Sequence, residues 1–176
     1  MNIPNILTMV RFCLIPLFII VFYSPIDHNV LYSTLIFALA GVTDVLDGHI
    51  ARSYNMVTRW GIVLDPLADK LMEITVLVCF TSANYLPLWV IIVIGIKEIC
   101  MIFGAIFLYY SEEKTVVPSN IYGKIATFSF YIAIFAIAIN LNKTVNFILI
   151  GITVILTIIA FINYFIAFRE IRKESK

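Results

Sequence analysis

Apolar residues run nearly unbroken along most of this chain, and polar positions gather in short gaps and at the ends of the runs. Six runs, over residues 6–23, 30–51, 61–82, 86–109, 121–140 and 145–168, approach the ~20 residues that a helix needs to cross the hydrocarbon core, and so predict six transmembrane α-helices. The first run lacks a basic leading segment and a small-residue cleavage site, so it reads as a retained helix and not a signal peptide. SPIDHN, SANYLP and NLNK join the first run to the second, the third to the fourth and the fifth to the sixth, with Lys143 their single Lys or Arg. The remaining connections and the tail hold Arg52 and Arg59, Lys114 with Lys124 just beyond it, and Arg169, Arg172, Lys173 and Lys176. Positive charge therefore falls on one side, which predicts cytoplasmic termini.

Composition changes this picture little. With 62% hydrophobic and 13% charged residues, against about 25% charged in a soluble domain, a water-soluble fold is excluded, and the expectation is an all-α integral membrane protein. Residues 1–176 read as a single transmembrane domain without internal repeats or low-complexity segments. The net charge of +1 is uninformative, because in a membrane protein charge placement carries more meaning than its sum, and no nucleic-acid partner is expected. Cys13, Cys79 and Cys100 lie in apolar runs without metal-ligand spacing and are expected to be buried packing residues. Trp60, Trp89 and the many Phe are read as lipid-facing, packing or interfacial groups, and the Asn142-Lys143-Thr144 triplet is assigned no role.

Against that background DVLDGHIAR, residues 44–52, stands out, as do Asp65 and Asp69 shortly after it. At about 100° per residue, Asp44, Asp47, Gly48, Ala51 and Arg52 share an arc of roughly 140°, while Gly61, Asp65 and Asp69 drift only about 40° per step. Two acidic faces near the cytoplasmic ends of consecutive helices can thus oppose each other. Four carboxylates this close repel unless a cation joins them. Hard oxygen donors suit Mg²⁺ or Mn²⁺, and His49 points off the acidic face. Mg²⁺ usually shares its shell with substrate phosphates, so a phosphate-bearing substrate is expected; Gly48, Ala51 and Gly61 would let it come close, and Arg52 could reach it. The alternative, ordinary helix-end salt bridges with Arg52, Arg59 and Lys70, explains a single pair better than four acids in phase on two helices.

The pattern Asp44-x2-Asp47-Gly48-x2-Ala51-Arg52-x8-Gly61-x3-Asp65-x3-Asp69 resembles the complete signature of the CDP-alcohol phosphotransferase family, all eight fixed positions being present within 26 residues. The six-helix hydropathy pattern extends the resemblance over nearly the whole chain. It implies a membrane enzyme that transfers a phosphatidyl group from a CDP-linked lipid such as CDP-diacylglycerol to an alcohol, with release of CMP. It further implies that Asp44, Asp47, Asp65 and Asp69 hold two metal ions, that Asp69 also takes the proton from the attacking hydroxyl, and that Gly48, Ala51, Arg52 and Gly61 form part of the CDP-binding surface. A homodimer in the cell membrane, its active site facing the cytoplasm, is the corresponding expectation.

For the acceptor, IPNILTMVRF and LDPLADKL look similar to the bacterial phosphatidylglycerophosphate synthase branch of the family, which uses glycerol 3-phosphate. Asn5, Thr8 and Arg11 resemble its amino-terminal pattern, although capping and headgroup contacts explain them nearly as well. Lys97 and Lys124 are the candidate acceptor-binding cations. Lys97, near mid-span, needs a partner such as Glu73 on a neighbouring helix if it is not hydrated; adjacent Glu98 is expected to diverge from it, and Lys124 could snorkel to the headgroups. The branch often reads REI and GK-x-KT where this chain has Lys97-Glu98-Ile99 and Gly123-Lys124-Ile125-Ala126-Thr127. Lysine does not reproduce arginine's bidentate grip on phosphate. A CMP-forming cardiolipin synthase that accepts phosphatidylglycerol therefore stays open. A small metal-ion transporter is the reading from another class, but it would need polar residues across the outer halves of the spans, which offer almost none.

Overall fold

The computed structural model describes residues 3–53, 59–110 and 121–174, with side chains described except at 3–5, 49–53, 59–63, 102, 105–110 and 170–174. Helices α1 (Ile3–Phe22), α2 (Asn29–Ser53), α3 (Arg59–Ser82), α4 (Leu88–Tyr110), α5 (Ile121–Ala138) and α6 (Lys143–Glu174) account for the secondary structure of the described residues. Each falls on one predicted run. The clearest difference is α6, which continues through the charged sequence Arg169 to Glu174, because Arg, Glu and Lys are good helix formers once the apolar run has ended. By length and composition, three described stretches can cross a membrane: Asn29–Gly48, Ile121–Ala138 and Lys143–Arg169. The apolar part of α1, Ile6–Phe22, is shorter.

The chain divides into two compact units, Met1–Leu86 and Pro87–Lys176. In the first, α1 packs on both α2 and α3. Thr8, Arg11, Leu14, Phe18 and Phe22 recur every three or four residues on α1 and are all buried, forming one stripe that is polar at its start and apolar at its end. The facing stripes change in the same way: α2 offers Phe37 and Ala40 and then Thr43 and Asp47, and α3 offers half-buried Asp65 and then the buried Ala68, Met72, Val76 and Phe80. At the apolar end Phe22 lies 5.2 Å from Phe80, ring centre to ring centre, and Phe18 stacks on Phe22 at 5.7 Å. The Asn29 side chain closes the α1–α2 turn by donating to the carbonyls of Phe22 (2.6 Å) and Ser24 (3.1 Å).

In the second unit α4 and α5 each pack on α6. Small residues Ala126, Ala133 and Ala136 are buried on α5, where the Ser129 hydroxyl lies 2.8 Å from that of Thr153 on α6. Such close approach and hydroxyl pairing join helices where lipid removes the hydrophobic drive. Between α4 and α6, the Tyr164 hydroxyl donates to the Met101 carbonyl (3.3 Å). Gly104 leaves the space for it, since a Cβ there would stand 2.8 Å from that hydroxyl oxygen. Asn142 begins α6 as its cap, accepting from the Thr144 N–H at 3.0 Å.

One expectation is corrected here. Cys79 is buried, but Cys13 and Cys100 are exposed on their helices. A thiol is a small apolar group, and each unit exposes large apolar side chains, Ile20 and Val45 in the first and Phe103, Ile121 and Phe128 in the second, so an exposed thiol is accommodated without cost.

Candidate active site

The polar ends of the α1, α2 and α3 stripes meet at Arg11. Its guanidinium is fully buried, and one amine nitrogen lies 2.5 Å from Asp47 Oδ2 while the other lies 3.1 Å from Asp44 Oδ1. The second nitrogen also donates to the main-chain carbonyl of Asp65 (3.2 Å). Thr8, one turn earlier on α1, donates its hydroxyl to Asp65 Oδ1. Two residues of α1 thus hold acids from both α2 and α3, and the two acidic faces do oppose each other. An arginine suits this position because its planar fork can serve several oxygens at once and keeps its charge when buried. The Nε–H of Arg11 is buried without a partner among the described residues.

Asp69 stands one helical turn beyond Asp65 on α3, half-buried and with Ala68 packed beside it. Asp47 is buried, whereas the Asp44 side chain is 42% exposed, so the group is open to water on one side. Gly48 is half-buried next to Asp47. Pro66, directly after Asp65, lacks the N–H that would close the preceding turn, which loosens α3 where it carries its acids. The side chains of Asn5, His49, Ala51, Arg52 and Arg59, and the surroundings of Gly61, lie outside the described residues.

As they are placed, no three described His, Cys, Asp or Glu side chains form a ready cage for one ion. The donor chemistry nevertheless fits a hard dication. Among the described residues Asp44, Asp47 and Asp65 each use one oxygen toward α1 and keep the other, and no nitrogen or sulfur ligand competes; Mg²⁺ commonly takes only one or two carboxylates plus substrate oxygens.

Asp44 and Asp47 pair with Arg11 of α1, a bridge to another helix, and Lys70 pairs with Glu73 at 2.8 Å; the helix-end bridges to Arg52 and Arg59 fall on side chains outside the described residues. By sequence Arg11 matches only an amino-terminal pattern. The signal that could have singled it out is a lone guanidinium three residues after Thr8 in an otherwise apolar run, where an unpaired charge is expensive.

In the second unit Lys97 is buried and its ammonium donates to Glu98, which corrects the expectation that adjacent residues diverge too far. The Cβ atoms do diverge, but the four-carbon stem of a lysine can swing back across one residue, and pairing outweighs the cost of that rotamer. Lys124 at the start of α5 is exposed.

A family model described as CDP-alcohol phosphatidyltransferase matches residues 1–159. The chain is 38% identical over 172 residues, covering 93% of this chain and 91% of the relative, to a Haemophilus influenzae protein named CDP-diacylglycerol--glycerol-3-phosphate 3-phosphatidyltransferase. Proteins of the same name are 34% identical over 79% of the chain in Bacillus subtilis (77% of the relative) and 45% identical over 51% of it in Escherichia coli K12 (48% of the relative). With two acidic helices clasped by one buried arginine, and with a match that runs through five of the six helices, this chain belongs to the CDP-alcohol phosphatidyltransferase family.

Proposed function

We propose that the protein transfers the phosphatidyl group of CDP-diacylglycerol to glycerol 3-phosphate, forming phosphatidylglycerophosphate and CMP. The observation that carries this reading is the convergence of Asp44, Asp47 and Asp65 on Arg11 and Thr8, within the segment that holds the complete family signature. The names of the relatives support glycerol 3-phosphate over phosphatidylglycerol as the acceptor. The apolar outer faces and the family both suit a membrane enzyme. In this reading the chain acts as one multi-pass domain, as a homodimer, with both termini and the site on the cytoplasmic side.

Members of the family generally use divalent metal ions. In this proposal Asp44, Asp47, Asp65 and Asp69 would hold two of them, Mg²⁺ or Mn²⁺, whose chemistry is to neutralise the diphosphate and the charge that develops on departing CMP. Asp69 takes the proton from the acceptor hydroxyl. The hydroxyl oxygen then bonds to the phosphorus that bears diacylglycerol, the bond from that phosphorus to the bridging oxygen breaks, and CMP leaves with the electron pair. Gly48, Ala51 and Gly61 leave room for the nucleotide, and Arg52 pairs with its phosphate. Lys97 and Lys124 are the cations of the second unit proposed to serve the acceptor's phosphate.

Purified protein should release CMP from CDP-diacylglycerol only with both a divalent metal and glycerol 3-phosphate present, and EDTA should stop it. Asp69→Asn should lower kcat by about 10²–10⁴-fold, the usual share of a positioned base. Full turnover by that variant overturns the role of Asp69; turnover with phosphatidylglycerol and none with glycerol 3-phosphate overturns the acceptor.

A further inference from the structure

Arg11 and Thr8 stand outside the eight-position signature, yet together they touch three of its four aspartates. Their contacts are selective. Arg11 takes Oδ1 of Asp44 and Oδ2 of Asp47, and Thr8 takes Oδ1 of Asp65, so that among the described residues each carboxylate keeps one oxygen without a hydrogen bond. An ionised carboxylate offers about four lone-pair sites on its two oxygens, and a donor on one oxygen fixes the plane of the group without removing it as a ligand. The guanidinium also carries its positive charge into a group of at least three negative ones. It relieves their repulsion and still leaves the group net negative, as a dication requires.

We propose that Arg11 and Thr8 are positioning residues for the metal: they orient the aspartates of α2 and α3 from behind, so that the remaining oxygens form the ion's shell. This rests on the metal reading given above and goes beyond it, because neither residue touches the ion. A purely structural clasp would give a different result, since its loss would lower stability and leave the metal affinity of the folded protein unchanged. The arrangement follows the general rule that ligating carboxylates are themselves hydrogen-bonded, with about 10–100-fold in metal affinity lost when such support is removed.

The test is Mn²⁺ binding to the purified full-length protein in detergent without lipid substrate, read from the electron paramagnetic resonance signal of free Mn²⁺, with helicity and melting followed in parallel. Arg11→Gln should weaken binding by about 10–100-fold, and Arg11→Lys, which keeps the charge but not the fork, should recover part of it. Thr8→Val should weaken binding by about 10-fold and Thr8→Ser should restore it. A folded Arg11→Gln variant that binds Mn²⁺ as tightly as the parent, or more tightly, overturns the proposal. Should Arg11→Gln not fold, the Thr8 pair decides, and a Thr8→Val variant with unchanged affinity overturns it. If the parent binds no Mn²⁺, or Asp47→Asn leaves its affinity unchanged, the metal reading itself falls and this inference falls with it. Binding by the parent with no effect at Arg11 removes the inference alone.

Discussion

Each of the two units buries a cation beside a carboxylate, and they do so in opposite ways. Arg11 reaches from α1 to the acids of α2 and to the backbone of α3, so its charge fixes three helices relative to one another. Lys97 donates to Glu98, the next residue of its own helix, so the ion pair itself lies within α4. The second unit joins α4 to α6 without charge, by the Tyr164 hydroxyl on the Met101 carbonyl above Gly104. A branched, planar donor set is thus used where acids from different helices must hold one geometry. A single ammonium suffices where charge only has to be carried into the bundle. The Arg11 network cannot open without unlocking the helices, whereas the Lys97–Glu98 pair can open by a side-chain rotation, as a lysine serving an anionic acceptor would have to.

The largest effect that follows is on stability. Arg11→Leu leaves Asp47 buried without its partner and lets the acids of α2 and α3 repel, which should cost about 3–5 kcal/mol in denaturant unfolding and abolish turnover. The matching removal in the second unit, Lys97→Met with Glu98→Leu, replaces the pair by apolar groups of similar size. It should be neutral or stabilising by up to about 4 kcal/mol. Comparable losses in the two variants would break the contrast drawn between the networks. If Lys97 serves the acceptor, the double variant should keep its fold and raise KM for glycerol 3-phosphate.

The same contrast explains what the sequence disclosed. The helices were legible because runs of this length and hydropathy have few alternatives, and the acidic faces because Asp44 and Asp47, like Asp65 and Asp69, lie in phase on a helix. The part of Arg11 was not, because its partners are 33 to 54 residues away in sequence and nothing local specifies which helix will pack on α1. Lys97 failed in the other direction. A helical wheel treats side chains as short spokes, which is adequate for aspartate and wrong for a lysine whose ammonium sits at the end of four methylenes. The exposed thiols of Cys13 and Cys100 show a third limit: in a chain with an apolar exterior, hydrophobicity alone does not separate inside from outside.

The uncharged junction of the second unit yields a smaller effect. Gly104→Ala would put a methyl 2.8 Å from the Tyr164 hydroxyl oxygen, so the ring must shift and its bond to Met101 stretch, costing about 1–3 kcal/mol in unfolding. Tyr164→Phe in the same chain removes the clashing oxygen and should recover part of that loss. No recovery would mean that α4 and α6 are not joined at this point, leaving the second unit without its counterpart to Arg11.

The smallest effects belong to a feature that the two units share, and they test whether the contrast is confined to charge. Asn84 after α3 and Asn140 after α5 both adopt left-handed backbone, with φ of 60° and 54°. Each stops its helix with the same pair of hydrogen bonds: Asn84 N–H to the Thr81 carbonyl and Tyr85 N–H to Phe80 in one, Asn140 N–H to Ile137 and Leu141 N–H to Ala136 in the other, all between 2.9 and 3.1 Å. A β-branched residue is strained in this conformation, so Asn84→Val and Asn140→Val should each cost about 1–2 kcal/mol, while the glycine variants should stay within about 1 kcal/mol of the parent. In the first unit the Tyr85 ring also packs on Phe80 at 5.8 Å, an apolar contact that commonly accompanies this stop. Tyr85→Ala should therefore lower the melting temperature more than Leu141→Ala does. Equal shifts would mean that the aromatic end of the first unit adds nothing to its helix stop, and that the units differ only in how they bury charge.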